Sequence, residues 1–138
     1  MYARLVTALL VTAALGVLPG QAGAASFVAT LKAPNHHPAA GKLWNISVTA
    51  KSNSGRALRA TAYYEYWFKG QKVASRNPSP SDPNDQSGGP RPYSFKGSYR
   101  DGILWPKRSV GIPLTFRVVV KVKGLGMRKL DWKVVVRK

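Results

Sequence analysis

From Leu43 to Val136 the chain alternates apolar and polar side chains again and again at a period of two, and it contains no cysteine. Period two is strand spacing, because successive side chains of a β-strand point to opposite faces. The clearest run sets Leu114, Phe116, Val118, Val120 and Val122 against Thr115, Arg117, Val119, Lys121 and Lys123, and ends at the turn Gly124-Leu125-Gly126. Leu130, Trp132, Val134 and Val136 repeat the pattern against Lys129, Asp131, Lys133, Val135 and Arg137, which predicts an antiparallel hairpin. Without disulfides, a chain of this size must gain its stability from one well-packed core. The prediction is an all-β fold, an antiparallel sandwich of about seven strands, in preference to a small barrel.

Earlier runs fit the same scheme. Phe27, Ala29 and Leu31 mark a short first strand, and Pro34 to Gly41 a loop. Trp44, Ile46, Val48 and Ala50 form one face of the next run, and Leu58, Ala60, Ala62, Tyr64, Tyr66 and Phe68 one face of the third. The third run also carries Tyr63 and Trp67 on its other face, so it is expected to be central or covered. Gly70-Gln71 predicts a tight turn into a short strand around Lys72 to Ser75. Asn77 to Pro92, rich in proline and glycine, reads as one long loop. Tyr93, Phe95, Gly97 and Tyr99 read as one face of a further strand that Asp101-Gly102 ends, and Ile103 to Pro106 as an apolar approach to the final hairpin. The expected inner faces hold Trp44, Ile46, Val48, Tyr64, Tyr66, Phe116, Val118, Val120, Trp132 and Val134.

The first residues read as an export signal. Arg4 gives the positive flank, Leu5 to Leu18 the apolar stretch, and Ala22-Gly23-Ala24 the small residues a signal peptidase accepts. The expected division is a signal peptide at 1–24 and one domain at 25–138, secreted or held at the cell surface. The apolar stretch is shorter than the ~20 residues a membrane span needs, so no span is expected after processing. Lysines and arginines outnumber acids 22 to five, for a formal charge of +17. Such an excess attracts polyanions. Export argues against nucleic acid and for anionic envelope polymers or an extracellular protein.

The strings Pro38-Ala39-Ala40-Gly41-Lys42-Leu43-Trp44-Asn45-Ile46-Ser47-Val48 and Gly111-Ile112-Pro113-Leu114-Thr115-Phe116-Arg117-Val118-Val119-Val120 resemble the small exported immunoglobulin-like or fibronectin-type domains of actinobacterial surface proteins. That resemblance spans most of residues 26–138. It implies an immunoglobulin-like sandwich outside the cytoplasm and carries no catalytic or ligand residues to map. The cysteine pair of the disulfide-bonded branch is missing.

The polar face of the last hairpin supplies the candidate contact surface. Arg117, Lys121 and Lys123 align at strand period, as do Lys133 and Arg137 together with Lys129, relieved only by Asp131. Tyr63 and Trp67, on the wet side of their own strand, add contact area for a partner or sugar ring, unless the loop at 77–92 folds over them. The expected function is a non-enzymatic binding or structural domain that meets an anionic partner through this basic face. A carbohydrate-binding module led by the aromatics is the alternative. A metal carrier ranks third: His36 and His37 are the only histidines, and Asp82, Asn84, Asp85 and Ser87 lack the glutamate that closes a calcium loop. Glu65 is the only glutamate, placed as a cross-strand partner for a cation, and nothing pairs it with a second carboxylate for hydrolysis. No catalytic residue, cofactor or metal is assigned.

Overall fold

The alternation is realised as eight strands: β1 (Phe27–Lys32), β2 (Leu43–Ser52), β3 (Arg59–Phe68), β4 (Gln71–Arg76), β5 (Tyr93–Lys96), β6 (Ser98–Leu104), β7 (Pro113–Val122) and β8 (Gly126–Val135). The computed structural model describes residues 26–138; the expected signal segment at 1–24 lies outside the described residues. One sheet has the order β1-β2-β6 and the other β4-β3-β7-β8, with β5 also paired to β3. Every pairing between these strands is antiparallel. Two such sheets, A-B-E facing C′-C-F-G in the customary strand letters, make an immunoglobulin-like β-sandwich.

Two readings of the sequence require correction. The stretch from Tyr93 to Arg100 is not one strand: β5 ends at Lys96, Gly97 takes a φ of 78°, and β6 begins at Ser98 in the opposite sheet. The Gly97 N–H donates to the carbonyl of Leu58, the residue before β3, and its own carbonyl accepts from Ala50 of β2, so this residue links the entry of one layer to the other. A Cβ there would sit 2.9 Å from the Ala57 side chain. Nor does Asp101-Gly102 end the strand, which runs on to Leu104. Asp101 is buried inside it, because partners satisfy its carboxylate: Oδ2 accepts from the Tyr64 hydroxyl at 2.7 Å and Oδ1 from the Gly102 N–H at 2.8 Å.

The core lies between the sheets. Phe116, fully buried on β7, has ring centroids of Trp44, Tyr64, Tyr66 and Trp105 at 5.8, 5.0, 5.6 and 6.1 Å, in edge-on or tilted contacts. Trp44 comes from the three-stranded sheet and Tyr64 from the five-stranded one, so the cluster ties the layers together. A second group, Tyr93, Phe95 and Tyr99, fills the region around Gly97. Of the expected inner residues, Tyr66 and Trp132 are only half-buried, whereas Ile103, Trp105 and Tyr99 join the core unforeseen.

The loop at 77–92 fastens onto β6. Gln86 donates to the Gly102 carbonyl and accepts from the Leu104 N–H, and the Ser79 N–H reaches Asp101. The segment from Asn35 to Ala40 straps the free side of β8: Val135 and Arg137 donate backbone N–H groups to the carbonyls of His36 and Pro38, each at 2.9 Å. That strap occupies part of an edge that would otherwise offer open hydrogen-bonding groups.

Two outcomes test this packing. Phe116→Ala should lose about 3 to 5 kcal/mol in urea denaturation, whereas Val73→Ala on the exposed edge should change stability by less than ~0.5 kcal/mol. Burial raises the pKa of Tyr64, Tyr66 and Tyr99 above the ordinary 10.0, so the folded chain holds their protons where the unfolded chain releases them. Their contribution is therefore complete below pH 10 and declines above it. Unfolding free energy should fall by about 1.4 kcal/mol per pH unit for each such tyrosine, and Tyr99→Phe should reduce that slope by one increment. A stability that stays flat to about pH 11.5 would contradict the buried network.

Candidate functional site

The outward face of the five-stranded sheet follows from the inward one. With Tyr64, Phe116 and Trp132 turned to the core side, the intervening residues line up across β3, β7 and β8 in rows. Trp67, Thr115 and Lys133 form one row; Glu65, Arg117 and Asp131 the next; then Tyr63, Val119 and Lys129; then Thr61, Lys121 and Met127. On β4, Lys72 and Ser75 extend the first two. The sequence-predicted residues Tyr63, Trp67, Arg117, Lys121 and Lys133 thus share one surface.

They do not behave alike. Arg117 lies between two acids in its row. Its Nε and Nη2 donate to Asp131 at 2.6 and 3.1 Å, which is the one ion pair among the described residues. Its guanidinium also stands 4.6 Å from the Trp67 ring centroid. Bonding to Asp131 raises the Arg117 pKa further above its ordinary value. Glu65, buried beside it, accepts from the Trp67 indole N–H at 2.7 Å. Arg117 is therefore the neutralised hinge-pin of the surface: it holds Asp131 and Trp67 in place and offers little free charge.

Lys121 places its ammonium 5.6 Å from the Tyr63 ring centroid. Both aromatics thus have a cation over them, a favourable arrangement of about 0.5 to 1 kcal/mol each at exposed sites. The loop at 77–92 sends hydrogen bonds to β6, and its Asn77, Ser87 and Gly89 border Tyr63 and Glu65 around a smaller depression. Lys121, Lys129 and Lys133 are exposed and have no acidic partner. Lys123 stands in the turn after β7, and Arg137, beyond β8, donates to the His37 carbonyl at 3.2 Å, so both sit at the margins. At one end of the face, Trp67, Lys69, Arg117 and Lys133 meet His36 and His37 around a depression of about 610 Å³.

The metal alternatives find no support in the geometry. Among the described residues no three His, Cys, Asp or Glu side chains gather as a metal site. The Nδ1–H of His36 donates to the Lys133 carbonyl at 2.6 Å and its ring stacks on Trp132 at 4.5 Å. Asp85 accepts from the Ser87 hydroxyl and N–H, contacts that lower its pKa and close a local turn. Three further carboxylates have side-chain partners: Asp101 accepts from Tyr64, Asp131 from Arg117 and Glu65 from Trp67.

Lys69, which the sequence sets next to the aromatics but which is not among the predicted contact residues, stands beside the depression at the tight turn of Gly70, with a φ of 48°. Sequence reasoning did not foresee that Val119, on the outward face, would be fully buried between Tyr63 and Lys129 in its row.

No protein-family model and no curated protein matches the chain. Among solved structures, the PKD domain of an M14-like peptidase from Thermoplasmatales archaeon SCGC AB-540-F20 matches at 14% identity and a TM-score of 0.44, covering 80% of this chain and 94% of that one. That relative is archaeal, not an actinobacterial surface protein, and at such a distance the assignment of the fold rests on the strand order alone.

If Arg117 is held as described, Asp131→Asn should lower stability by no more than ~1 kcal/mol, because the pair is partly exposed and screened. Trp67 should nevertheless become more accessible, read as a faster quench of its fluorescence by iodide. Unchanged quenching would mean that Asp131 does not hold the cover in place.

Proposed function

We propose that this is a non-catalytic, exported binding domain that uses the outward face of its five-stranded sheet to hold an anionic polymer of the cell envelope or surroundings. The observation that supports it is the division of labour on that face: the two acids are taken up by Arg117 and the Trp67 indole, while Lys121, Lys129 and Lys133 remain exposed without acidic partners. Strand spacing sets these ammonium groups on a rigid surface, where their fields add and meet a chain of repeated negative charges. Trp67 and Tyr63, beneath their cations, stiffen the surface. The export signal expected at 1–24 supports this reading, since an exported domain would meet such polymers.

The test compares two triple variants of equal charge loss. Lys121, Lys129 and Lys133 are replaced by glutamine in one; in the other, Lys32, Lys51 and Arg100, which point outward from the three-stranded sheet, are replaced. Binding to an acidic polysaccharide is measured at about 20 and about 150 mM salt. The first triple should lose on the order of 10- to 100-fold in affinity and the second much less, with binding to wild type weakening steeply in salt. Equal losses would assign the binding to net charge and not to this face. Salt-resistant binding of a neutral glycan that disappears in Trp67→Ala would instead establish a carbohydrate module.

A further inference from the structure

The strap from Asn35 to Ala40 does more than cover the edge of β8. Its two histidines, the only ones in the chain, border the depression of about 610 Å³ at the end of the outward face. Both rings turn Nδ1 to the strand, His36 to the Lys133 carbonyl at 2.6 Å and His37 to the Val135 carbonyl at 3.3 Å. Nε2 is therefore the nitrogen that each exposed ring has left for a ligand. The strap is ordered in advance: the His36 ring stacks on Trp132, and the Trp132 indole N–H donates to the Asn35 carbonyl at 3.0 Å.

With Nδ1 so held, a neutral Nε2 has the lone pair of a metal ligand. Its neighbours oppose a metal ion. Lys69, Lys133 and Arg117 line the same depression, and its one acid, Asp131, is bonded to Arg117. Lys69 holds its place against backbone preference. It forms with Gly70 the two-residue turn between Phe68 and Gln71, at φ values of 48° and 76°. Such turns favour asparagine, aspartate or glycine at the first position, and Lys69 is the one non-glycine residue at positive φ among the described residues. Strain of this kind gathers where a site requires a particular side chain. The Lys69 ammonium stands 5.3 Å from the Phe68 ring centroid without an acidic partner, on a flexible stem.

The donors also choose among anions. A planar carboxylate is best matched by the fork of arginine, and the fork of Arg117 is already taken by Asp131 at 2.6 and 3.1 Å. What remains are separate point donors around a bowl, two ammonium groups and two imidazole nitrogens. Donors that converge from several directions suit a tetrahedral oxyanion.

We propose that the depression seats a phosphate or sulfate ester group of the bound polymer, contacted by Lys69, Lys133 and the Nε2 atoms of His36 and His37, and holds it more tightly when both histidines are protonated. This rests on the reading of the outward face as a polymer surface. An imidazole takes up its second proton between about pH 8 and pH 5. Here that proton goes to Nε2 and turns a lone pair into a cationic donor. The charged groups around the two rings are Lys133 and Asp131 from β8, Arg117 from β7, Lys69 from the turn and Arg137 beyond β8. Cations predominate, so a proton and an anion favour each other's binding.

The test compares inorganic polyphosphate and sulfated dextran with polygalacturonate at pH 7.5 and 5.5, in about 100 mM salt. Internal phosphates, sulfates and these carboxylates stay ionised over that range, so a change reports on the protein. Affinity for polyphosphate or sulfated dextran should rise about tenfold or more at the lower pH, and that for polygalacturonate less than about threefold. Whichever of the first two binds more tightly identifies the ester. His36→Gln with His37→Gln, whose amides can still donate to the strand, should cut the rise to less than about twofold. Should that pair not fold, His37→Gln alone serves and should cut it to about threefold. Lys69→Asn should raise the melting temperature, because asparagine suits the turn, and weaken binding at both pH values. Lys121→Gln with Lys129→Gln, in the rows beyond Arg117, should weaken binding at both and leave the rise in place.

A rise below about threefold for both esters, an equal rise for polygalacturonate, or a rise kept by the histidine pair would overturn the site. If Lys121→Gln with Lys129→Gln still weakens binding in that event, the polymer face stands without the depression. If the rise is present and that lysine pair has no effect, the depression stands and the wider face falls.

Discussion

The contact on which the rest of the structure depends is the set of aromatic rings gathered around Phe116. With no disulfide to join the layers, Trp44 from one sheet and Tyr64 and Tyr66 from the other meet on the two sides of this ring, and Trp105 closes the end. Rings of this size contribute a large share of the buried apolar area in a small domain. Their placement also settles register. A slip of one residue in β7 would turn Phe116, Val118 and Val120 to solvent and bring Arg117 and Lys121 inside. The positions of the surface lysines are thus a consequence of where the core rings lie.

The outward face shows how a chain of such high positive charge manages repulsion. Two of its five acids lie in a single row beside Arg117. Cations cover aromatic rings, and Val119 is fully buried on the face that alternation alone would call wet. Long side chains with charged ends cover apolar surface in this way while the charge stays in water. The face is a second, thinner packing layer, with lysine ammonium groups as its outermost atoms. At the edges the same residue types have another duty: Arg76 and Arg128 both turn inward, and an inward charge discourages pairing with another chain.

Much of this was legible in the sequence where period two runs unbroken. β2, β3, β7 and β8 lie where alternation placed them, and Tyr63, Trp67, Lys121 and Lys133 point to the face expected. Arg117 was legible in direction but not in engagement, although the glycine turn at 124–126 brings Asp131 opposite it. The hand-over at Gly97 was hidden because a glycine inside an alternating run looks like any strand residue, and only the second sheet shows that the chain has changed layers. Asp101-Gly102 carried a strong turn signal that lost to tertiary hydrogen bonds from Tyr64 and Ser79.

Gly97 has a mechanical meaning as well. Its N–H is held by Leu58, just before β3, and its carbonyl by Ala50 of β2, while the Leu58 N–H also donates to Ala50, so the two sheets are stitched together at this corner. Sliding one sheet across the other must break that stitch at the same moment as it drags Phe95 and Tyr99 apart, whose centroids are 4.7 Å from each other. A cross-linked fabric resists shear in this manner.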